Sequence, residues 1–267
     1  MHLLTGLCFR VRIEEQRGRR AFCKMENNGI KAIIFDLDNT LIDTSNAGVV
    51  ALQKVGELLK STLNLNDGAV ETICDTFKQK LYTEVLDSAA GKSIDDIRTV
   101  HWEEAIRETA GAQQMSESLG SDCYKLWKSS RLQLLTMSLE VQALLRDLRT
   151  KYRLLLLTNG EAQTQREKVE VSSCEEFFDA VVVGGEQEEQ KPSISIFRLC
   201  FEMLGVQARD CVMVGDSLDT DIEGGLKAAV RATVWIKTTW ATESDSIKPH
   251  YTISDVLELP RVLAELN

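Results

Sequence analysis

The chain has 267 residues, of which 43% are hydrophobic and 27% are charged, and it contains 3 prolines. This composition is typical of a folded globular protein and argues against an intrinsically disordered one. The 41 acidic residues outnumber the 31 basic residues and give a formal net charge of −10, which argues against a nucleic-acid or an anionic-membrane partner. The sequence also contains no apolar run that approaches the roughly 20 residues needed to span a bilayer.

The chain's 7 cysteines and 3 histidines are scattered, without the paired spacing that is typical of zinc sites. The odd number of cysteines indicates reduced thiols, so we expect a cytoplasmic protein. Residues 1–28 are expected to form a disordered extension, with a targeting signal as the weaker alternative. Met25 is a candidate for the natural start, because it lies shortly before the first predicted strand.

The first predicted strand, residues 32–35, is a short apolar run that ends at two acidic residues, Asp36 and Asp38. Functional groups of open α/β sheets lie just beyond the carboxyl ends of the strands. Two carboxylates about 4 Å apart repel by about 4 kcal/mol at an effective dielectric constant of ~20. A cation or a shared proton relieves that repulsion, and Mg²⁺ prefers such oxygen ligands. The alternative for this fragment alone is a solvated acidic turn.

From residue 46 to residue 136 the apolar residues recur at helical spacing. This pattern predicts about four helices and no strand. An insertion of ~90 residues is too long for a simple crossover connection. We therefore predict a helical cap domain at 46–136, inserted into a core formed by 29–45 and 137–267.

After residue 137, strands and helices alternate. This alternation predicts a doubly wound parallel sheet with right-handed crossovers, an α/β fold of the Rossmann type. One predicted helix, residues 218–230, contains glycines at 224 and 225. The further strands are predicted at 153–157, 178–183, 211–214, 232–236 and 251–253.

Four short polar motifs lie at strand ends or loop starts of this predicted core. Parallel strands bring their carboxyl ends to one edge of the sheet, so we expect these motifs to converge. Together they supply a nucleophile, oxygen-binding donors, a positive charge and an acid, which phosphoryl transfer requires. The motifs are Asp36-x-Asp38-x-Thr40, Thr158-Asn159-Gly160, Lys191-Pro192 and Gly215-Asp216-Ser217 with Asp219 and Asp221.

Each motif suggests a role. Asp36 is the candidate nucleophile, which would form an aspartyl-phosphate, and Asp38 is the candidate general acid and base. The Thr158 hydroxyl and the amides of Asn159 and Gly160 are candidate donors to phosphoryl oxygens. A further residue, Lys191, is the candidate for charge neutralisation.

The predicted metal ligands are Asp36, Asp216 and the backbone carbonyl of Asp38. Asp221 is the candidate partner for Lys191 or for metal-bound water, and Asp219 competes for that role. Each short motif alone is weak evidence for such a site. The prediction depends on the order of all four motifs and on their placement at the same edge of the sheet.

These motifs resemble the haloacid dehalogenase superfamily of Mg²⁺-dependent phosphatases, and the helical insertion resembles that superfamily's C1-type cap. The resemblance implies metal binding by Asp36, Asp38 and Asp216. It also implies phosphate contacts from residues of the first three motifs, which are Leu37, Asp38, Thr158, Asn159 and Lys191.

Further stretches, among them HWEEAIRET, QTQREK and FDAVVVGGEQ, are most similar to the branch of the superfamily that acts on phosphorylated sialic acids. This resemblance implies removal of the 9-phosphate from N-acetylneuraminate 9-phosphate, a phosphorylated sugar acid. A sugar acid needs a cation for its carboxylate, and Arg131 and Lys128 are the candidates, with Arg98 and His101 as weaker ones. The alternative for each is a surface charge or a helix-packing side chain.

Other functions fit the sequence less well. A dehalogenase needs Asp36 but no acid at residue 38, because a halide leaves without a proton. A phospho-acceptor switch needs neither the cap nor the acid pair, and an oxidoreductase would show a G-x-G-x-x-G turn after a strand. A phosphatase for another small sugar or organic-acid phosphate and an inactive phosphate-binding scaffold remain alternatives. No obligate protein partner is evident.

Overall fold

A computed structural model describes residues 29–84, 93–111, 116–239 and 244–266 of the chain. The predicted extension at 1–28 lies outside the described residues. Within these ranges, none of the helices is long and apolar enough to cross a lipid bilayer.

The core is a six-stranded sheet in which every neighbouring pair of strands is parallel, in the order β3-β2-β1-β4-β5-β6. This order confirms the predicted doubly wound α/β fold. The chain passes from β1 to β2 and β3 on one side, and then returns to β4 on the other side of β1. The strands are β1 (Ala32–Phe35), β2 (Arg153–Thr158), β3 (Ala180–Val183), β4 (Cys211–Gly215), β5 (Ala232–Ile236) and β6 (Tyr251–Ile253).

Helices follow or connect these strands. Five of the helices in the described ranges come between β1 and β2, and four of these correspond to the predicted insertion, while the fifth leads into β2. The remaining four accompany the rest of the sheet. The helices are α1 (Thr44–Leu63), α2 (Asp67–Tyr82), α3 (Ile94–Ala110), α4 (Leu119–Leu132), α5 (Leu139–Lys151), α6 (Ala162–Val171), α7 (Ile194–Leu204), α8 (Glu223–Lys227) and α9 (Leu259–Leu266).

The central strand β1 is buried on both faces, because successive side chains point to opposite sides of the sheet. Ile33 and Phe35 belong to the apolar cluster that also contains residues of α5 and α9. Ala32 and Ile34 belong to the cluster on the other face, with residues of α7. This double burial explains the uninterrupted apolar run in the sequence and fixes the position at which the strand delivers its acidic residues.

The four inserted helices have an apolar core of their own, separate from the two clusters of the sheet. At its centre the rings of Phe77 and Trp102 are stacked with centroids 3.9 Å apart. Trp102 is therefore a packing residue of this core. A separate core is consistent with a helical cap, and the boundaries at 46 and 136 stay a prediction.

The helix predicted at 218–230 differs in the structure. A π-helical turn at Leu218–Ile222 leads into the short helix α8, and Ala229 has a φ of 56°. The segment lies too close to its neighbours for ordinary side chains: a Cβ at Gly224 would lie 2.5 Å from Phe197, and one at Gly225 would lie 2.8 Å from Thr233. The prediction of one regular helix was wrong because close packing, and not periodicity, shapes this segment.

Candidate active site

The candidate site lies where β1 adjoins β4, at the point where the strand order reverses. In doubly wound sheets this crevice is where ligands bind. The backbone amide of Asp36 donates to the carbonyl of Val214 at 2.9 Å, so the ends of the two strands are held together. The predicted convergence of the motifs is confirmed by the contacts between them.

Lys191 is at the centre of the site and is almost completely buried. Its ammonium group lies 2.7 Å from Asp36 Oδ1 and 2.7 Å from Asp221 Oδ1, and it donates to the Leu157 carbonyl at 2.8 Å. These contacts join the ends of three strands. The predicted contact between Asp221 and Lys191 is confirmed, whereas Asp219 is exposed and does not compete for it.

One lysine does not balance the acidic groups around it. Carboxylate oxygens of Asp36, Asp216 and Asp221 all lie within 4.8 Å of one another. Burial raises the pKa of Asp36 to about 8, with further increases from Asp221, Asp38 and Asp216, although Lys191 opposes them. Burial, together with the charge of Asp221, also raises the pKa of Asp216 to about 6. The site therefore holds more negative charge than its protein cations neutralise.

Asp216 is held by a residue of the first motif. Asn39 donates a side-chain hydrogen bond to Asp216, while its own Oδ1 accepts from Thr44 Oγ1 at 2.9 Å and from the Ser45 amide at 2.9 Å. Asn39 has a φ of 56°, a conformation that asparagine tolerates better than most residues. Asn39 therefore connects the start of α1 to the candidate metal ligand.

These residues fit a small divalent cation. A surplus of buried carboxylate oxygens is the donor set that Mg²⁺ prefers. Asp221 already has a partner for each oxygen, since Oδ1 lies against Lys191 and Oδ2 accepts from the Ser217 amide at 3.0 Å. Asp36 and Asp216 are therefore the residues whose side chains would hold the ion.

The Asp38 side chain lies outside the group of three carboxylates. Its Oδ2 lies 2.6 Å from Lys168 Nζ and 3.0 Å from Gln165 Nε2. Burial favours the neutral carboxyl, but Lys168 and the hydrogen bond from Gln165 outweigh burial and hold the pKa of Asp38 below its ordinary value. The Asp38 side chain therefore interacts with cationic and amide groups and not with the other carboxylates, and ligation of a metal by its backbone carbonyl stays a prediction.

Sequence reasoning assigned no role to Lys168 and Gln165, although both lie within the QTQREK stretch. They are three residues apart on α6 and therefore share one face of the helix. Both are buried polar residues on that face. A pair of long polar side chains on the inner face of a core helix was the signal that would have identified them.

The second motif is held by an internal network. The Thr158 hydroxyl is buried and accepts from Gln165 Nε2 at 2.9 Å. The Asn159 side chain clamps the backbone of Lys191, donating to its carbonyl at 2.8 Å and accepting from its amide at 3.0 Å. The predicted contacts of Thr158 and Asn159 with phosphate stay predictions, and Asn159 has the additional role of positioning the lysine.

The Gly160 amide donates to Gln190 Oε1 at 2.9 Å, and its predicted contact with phosphate stays a prediction. The first turn of α6 is not free to bind an anion, since the Glu161 carboxylate accepts from the amides of Gln163 and Thr164. Leu37 has a fully buried side chain, so its implied phosphate contact is limited to the backbone.

The candidate substrate cations differ in their surroundings. Lys128 lies 2.8 Å from Asp95 Oδ1 and 2.8 Å from Glu167 Oε1. It is therefore a neutralised cation that joins α4 to α6, which argues against its predicted role toward a substrate carboxylate.

The other cap candidates divide in the same way. Arg98 lies 3.2 Å from Glu84 and donates to Thr164 Oγ1 at 2.9 Å, while His101 Nε2 lies 3.7 Å from Glu84. Arg131 stacks over the ring of Trp127, with its guanidinium carbon 5.2 Å from the centroid. Of the predicted cations, Arg131 is the one that has no ion-pair partner among the residues described by the structure.

Comparison with known proteins identifies the family. The model of the haloacid dehalogenase-like hydrolases matches residues 30–229, a range that includes all four motifs and the four inserted helices. The chain belongs to the haloacid dehalogenase-like hydrolases. This match confirms the resemblance found in the motifs. Membership of this family also identifies the chain as an enzyme, a hydrolase.

Relatives of the hydrolase agree with this assignment. It is 51% identical over 239 residues to the N-acylneuraminate-9-phosphatase of Rattus norvegicus and equally to that of Homo sapiens, covering 89% of this chain and 95% of each relative. Among solved structures, the hydrolase YfnB from Bacillus subtilis, determined with magnesium bound, superimposes with a TM-score of 0.65 at 23% identity, covering 88% of this chain and 99% of YfnB. That similarity supports the fold, including its helical insertion.

Proposed function

We propose that this hydrolase is a Mg²⁺-dependent phosphomonoesterase that removes the 9-phosphate from N-acetylneuraminate 9-phosphate. The observation that carries the chemistry is the close group of the buried Asp36 and Asp221 with the half-buried Asp216, in which Lys191 pairs with Asp36 and Asp221. The substrate rests on the relatives that are 51% identical over nearly the whole chain. Cytoplasmic location belongs to the same proposal and is supported by free thiols at all five cysteines of the described residues.

The first step of the proposed reaction is attack by an Asp36 carboxylate oxygen on phosphorus. The bond from phosphorus to the alcohol oxygen breaks, and Asp38 gives its proton to that oxygen. Asp38 must be protonated for this step. Its Oδ1 is buried and has no hydrogen-bond partner in the part of the chain that the structure describes, and a phosphate dianion placed beside it raises its pKa.

In the second step, water attacks the phosphorus of the aspartyl-phosphate and releases inorganic phosphate and free Asp36. Asp38, now ionised, accepts the proton of the water, and Lys168 and Gln165 hold its carboxylate in this state. Lys191 stabilises negative charge on Asp36 and on the phosphoryl oxygens throughout. Mg²⁺ bound at Asp36 and Asp216 would supply additional charge neutralisation for the phosphoryl group.

Phosphate release with and without Mg²⁺ tests this proposal. The panel contains N-acetylneuraminate 9-phosphate, hexose phosphates, phosphoglycolate and a nucleoside monophosphate. We expect Mg²⁺-dependent release with a strong preference for the nine-carbon substrate. Mg²⁺-dependent turnover of another panel member would keep the chemistry and reject the substrate, and release that is equal without Mg²⁺ would reject the metal.

Metal binding is expected to depend on pH. Because the pKa of Asp36 is raised to about 8 and that of Asp216 to about 6, both groups take up protons as the pH falls through these values, and bound protons compete with Mg²⁺. We therefore expect saturating Mg²⁺ to raise the melting temperature more at pH 8 than at pH 6.

Thermal unfolding with Mg²⁺ and with a chelator, at both pH values, measures this difference. Asp216→Asn is expected to reduce the Mg²⁺-induced shift at pH 8, whereas Asp219→Asn, which changes an exposed carboxylate in the same loop, is expected to leave it unchanged. A Mg²⁺-induced shift that is the same at both pH values would contradict proton competition.

A further inference from the structure

A small cavity lies between the inserted helices α3 and α4 and the core helix α6. It has a volume of about 20 Å³, which is room for about one water molecule. Basic side chains dominate the charge of its wall. They are Arg98, Lys128, Arg131 and Lys168.

Three of these cations are already paired. Arg98 lies against Glu84, and Lys128 lies against both Asp95 and Glu167. Lys168 Nζ lies 2.6 Å from Asp38 Oδ2. Among the residues that the structure describes, Arg131 has neither a carboxylate within ion-pair distance nor a hydrogen-bond acceptor for its guanidinium. It is therefore the cavity's one uncommitted cation in these ranges.

The Arg131 side chain has a defined position. Its guanidinium lies over the face of Trp127, one helical turn earlier on α4, at 5.2 Å from the ring centroid. Trp127 is itself fixed in the core of the inserted helices by an edge contact with Phe77, with centroids 5.2 Å apart. A guanidinium supported in this way loses little freedom on binding an anion, and its planar fork matches a carboxylate.

The charge of Arg131 acts on the leaving-group side of the site. Asp38, the proposed acid for the leaving alcohol, is among the groups that interact electrostatically with Arg131. The charged groups that act on the nucleophile Asp36 are instead Lys191 and the neighbouring carboxylates. Arg131 is thus placed to meet the alcohol part of a phosphate ester, while Lys191 serves the phosphoryl part.

We propose that Arg131 binds a carboxylate in the alcohol part of the substrate and that this contact selects phosphorylated sugar acids over neutral sugar phosphates. This inference rests on the proposed function and assigns its substrate specificity to one residue. Lys128, although it lines the same cavity, has no such role because two carboxylates neutralise it. The volume of the cavity also requires α3 and α4 to separate from α6 when the sugar acid enters.

The test compares N-acetylneuraminate 9-phosphate with its C1 methyl ester, which adds one methyl group and removes the carboxylate charge. We expect wild-type enzyme to prefer the acid by about 100-fold in kcat/KM, the size of effect that a charged hydrogen-bonded pair produces. Arg131→Gln is expected to lose this preference, because kcat/KM for the acid falls while kcat/KM for the ester remains almost unchanged. Arg131→Lys should restore part of the preference, because it keeps the charge without the fork.

Lys128→Gln is the matched control, since it removes a paired cation from the same cavity, and it should change both substrates by the same factor. An equal decrease for acid and ester in Arg131→Gln would overturn the inference, as would a wild-type enzyme that turns over both equally well. The wild-type comparison can overturn the inference even if the Arg131 variants fail to fold. Absence of turnover of either compound by the wild-type enzyme would instead reject the proposed function, and the inference with it.

Discussion

Asp36→Asn is expected to reduce phosphate release by at least about 10⁴-fold, the scale of loss seen when an enzyme's nucleophile is removed. The asparagine amide of the variant cannot form the acyl-phosphate bond that the Asp36 carboxylate forms. The fold should remain intact, because burial already disfavours the charged form of Asp36 and the neutral amide avoids that cost. Lys191 also keeps Asp221 as an ion-pair partner at 2.7 Å.

Two measurements separate loss of chemistry from loss of structure. Rapid acid quench with substrate labelled in the phosphoryl group should recover labelled protein from the wild type and none from Asp36→Asn. Thermal unfolding without Mg²⁺ should give the variant a melting temperature equal to or above that of the wild type. Asp219→Asn, an exposed carboxylate in the same site region, should match the wild type in both assays. Wild-type turnover by Asp36→Asn would reject the covalent mechanism.

The elements that sequence analysis identified most reliably are those whose signal is local. The run at 32–35 is apolar on both faces because β1 is covered on both sides, and β2 and β4 likewise contribute residues to both clusters. The four inserted helices also have a local signal, since one apolar face of each packs into a common core. Each motif lies at the end of, or just after, an element with a clear sequence pattern. The rule that parallel sheets carry their functional groups at the carboxyl ends of the strands therefore located the site.

The contacts that sequence analysis missed join residues far apart in the chain. Lys168 and Asp38 are separated by 130 positions, and no spacing rule relates a helix interior to a strand end at that distance. The partner of the Gly160 amide was missed for a similar reason, since it is a side chain 30 residues away. Competition between acceptors for one donor becomes visible only in the folded structure, because it depends on which acceptor lies within hydrogen-bond distance.

Burial settled the choice between Asp221 and Asp219, which sequence analysis left open. The two residues are two positions apart in a π-helical turn. The spacing of an α-helix therefore does not predict which of them is buried. Gly215 makes the arrangement specific, because a Cβ at this position would collide with the Asp221 carboxylate. The close approach of that carboxylate to the end of β4 is what brings it to Lys191.

Lys191→Met is expected to abolish activity and also to destabilise the protein by about 3–5 kcal/mol at neutral pH, the cost of removing one partner of a buried ion pair. The methionine retains most of the side-chain volume, so lost packing contributes little. Asp36 and Asp221 then lack their cation and must take up protons or remain charged without a partner. Chemical unfolding monitored by circular dichroism at several pH values measures the loss.

The pH dependence identifies the cause of this destabilisation. Without Lys191, the pKa of Asp36 rises further above its ordinary value, so the folded variant binds more protons than the unfolded chain over the range above the ordinary pKa of aspartate. The stability of Lys191→Met should therefore fall, relative to wild type, as the pH rises from 5 to 8. Saturating Mg²⁺ should recover part of that stability at pH 8 by binding the unpaired carboxylates, while activity remains absent because the phosphoryl group still lacks the ammonium.

Lys168→Met provides the contrast, because Lys168 pairs with Asp38 outside the group of three carboxylates. Its loss removes the main cation that holds the pKa of Asp38 down, so this variant should also lose relative stability as the pH rises. Mg²⁺ should stabilise this variant by no more than it stabilises the wild type, since the Asp38 side chain is not among the metal-binding carboxylates. A Mg²⁺-induced gain larger than that of the wild type in Lys168→Met, or no larger than that of the wild type in Lys191→Met, would contradict the division of the site into a metal side and a leaving-group side.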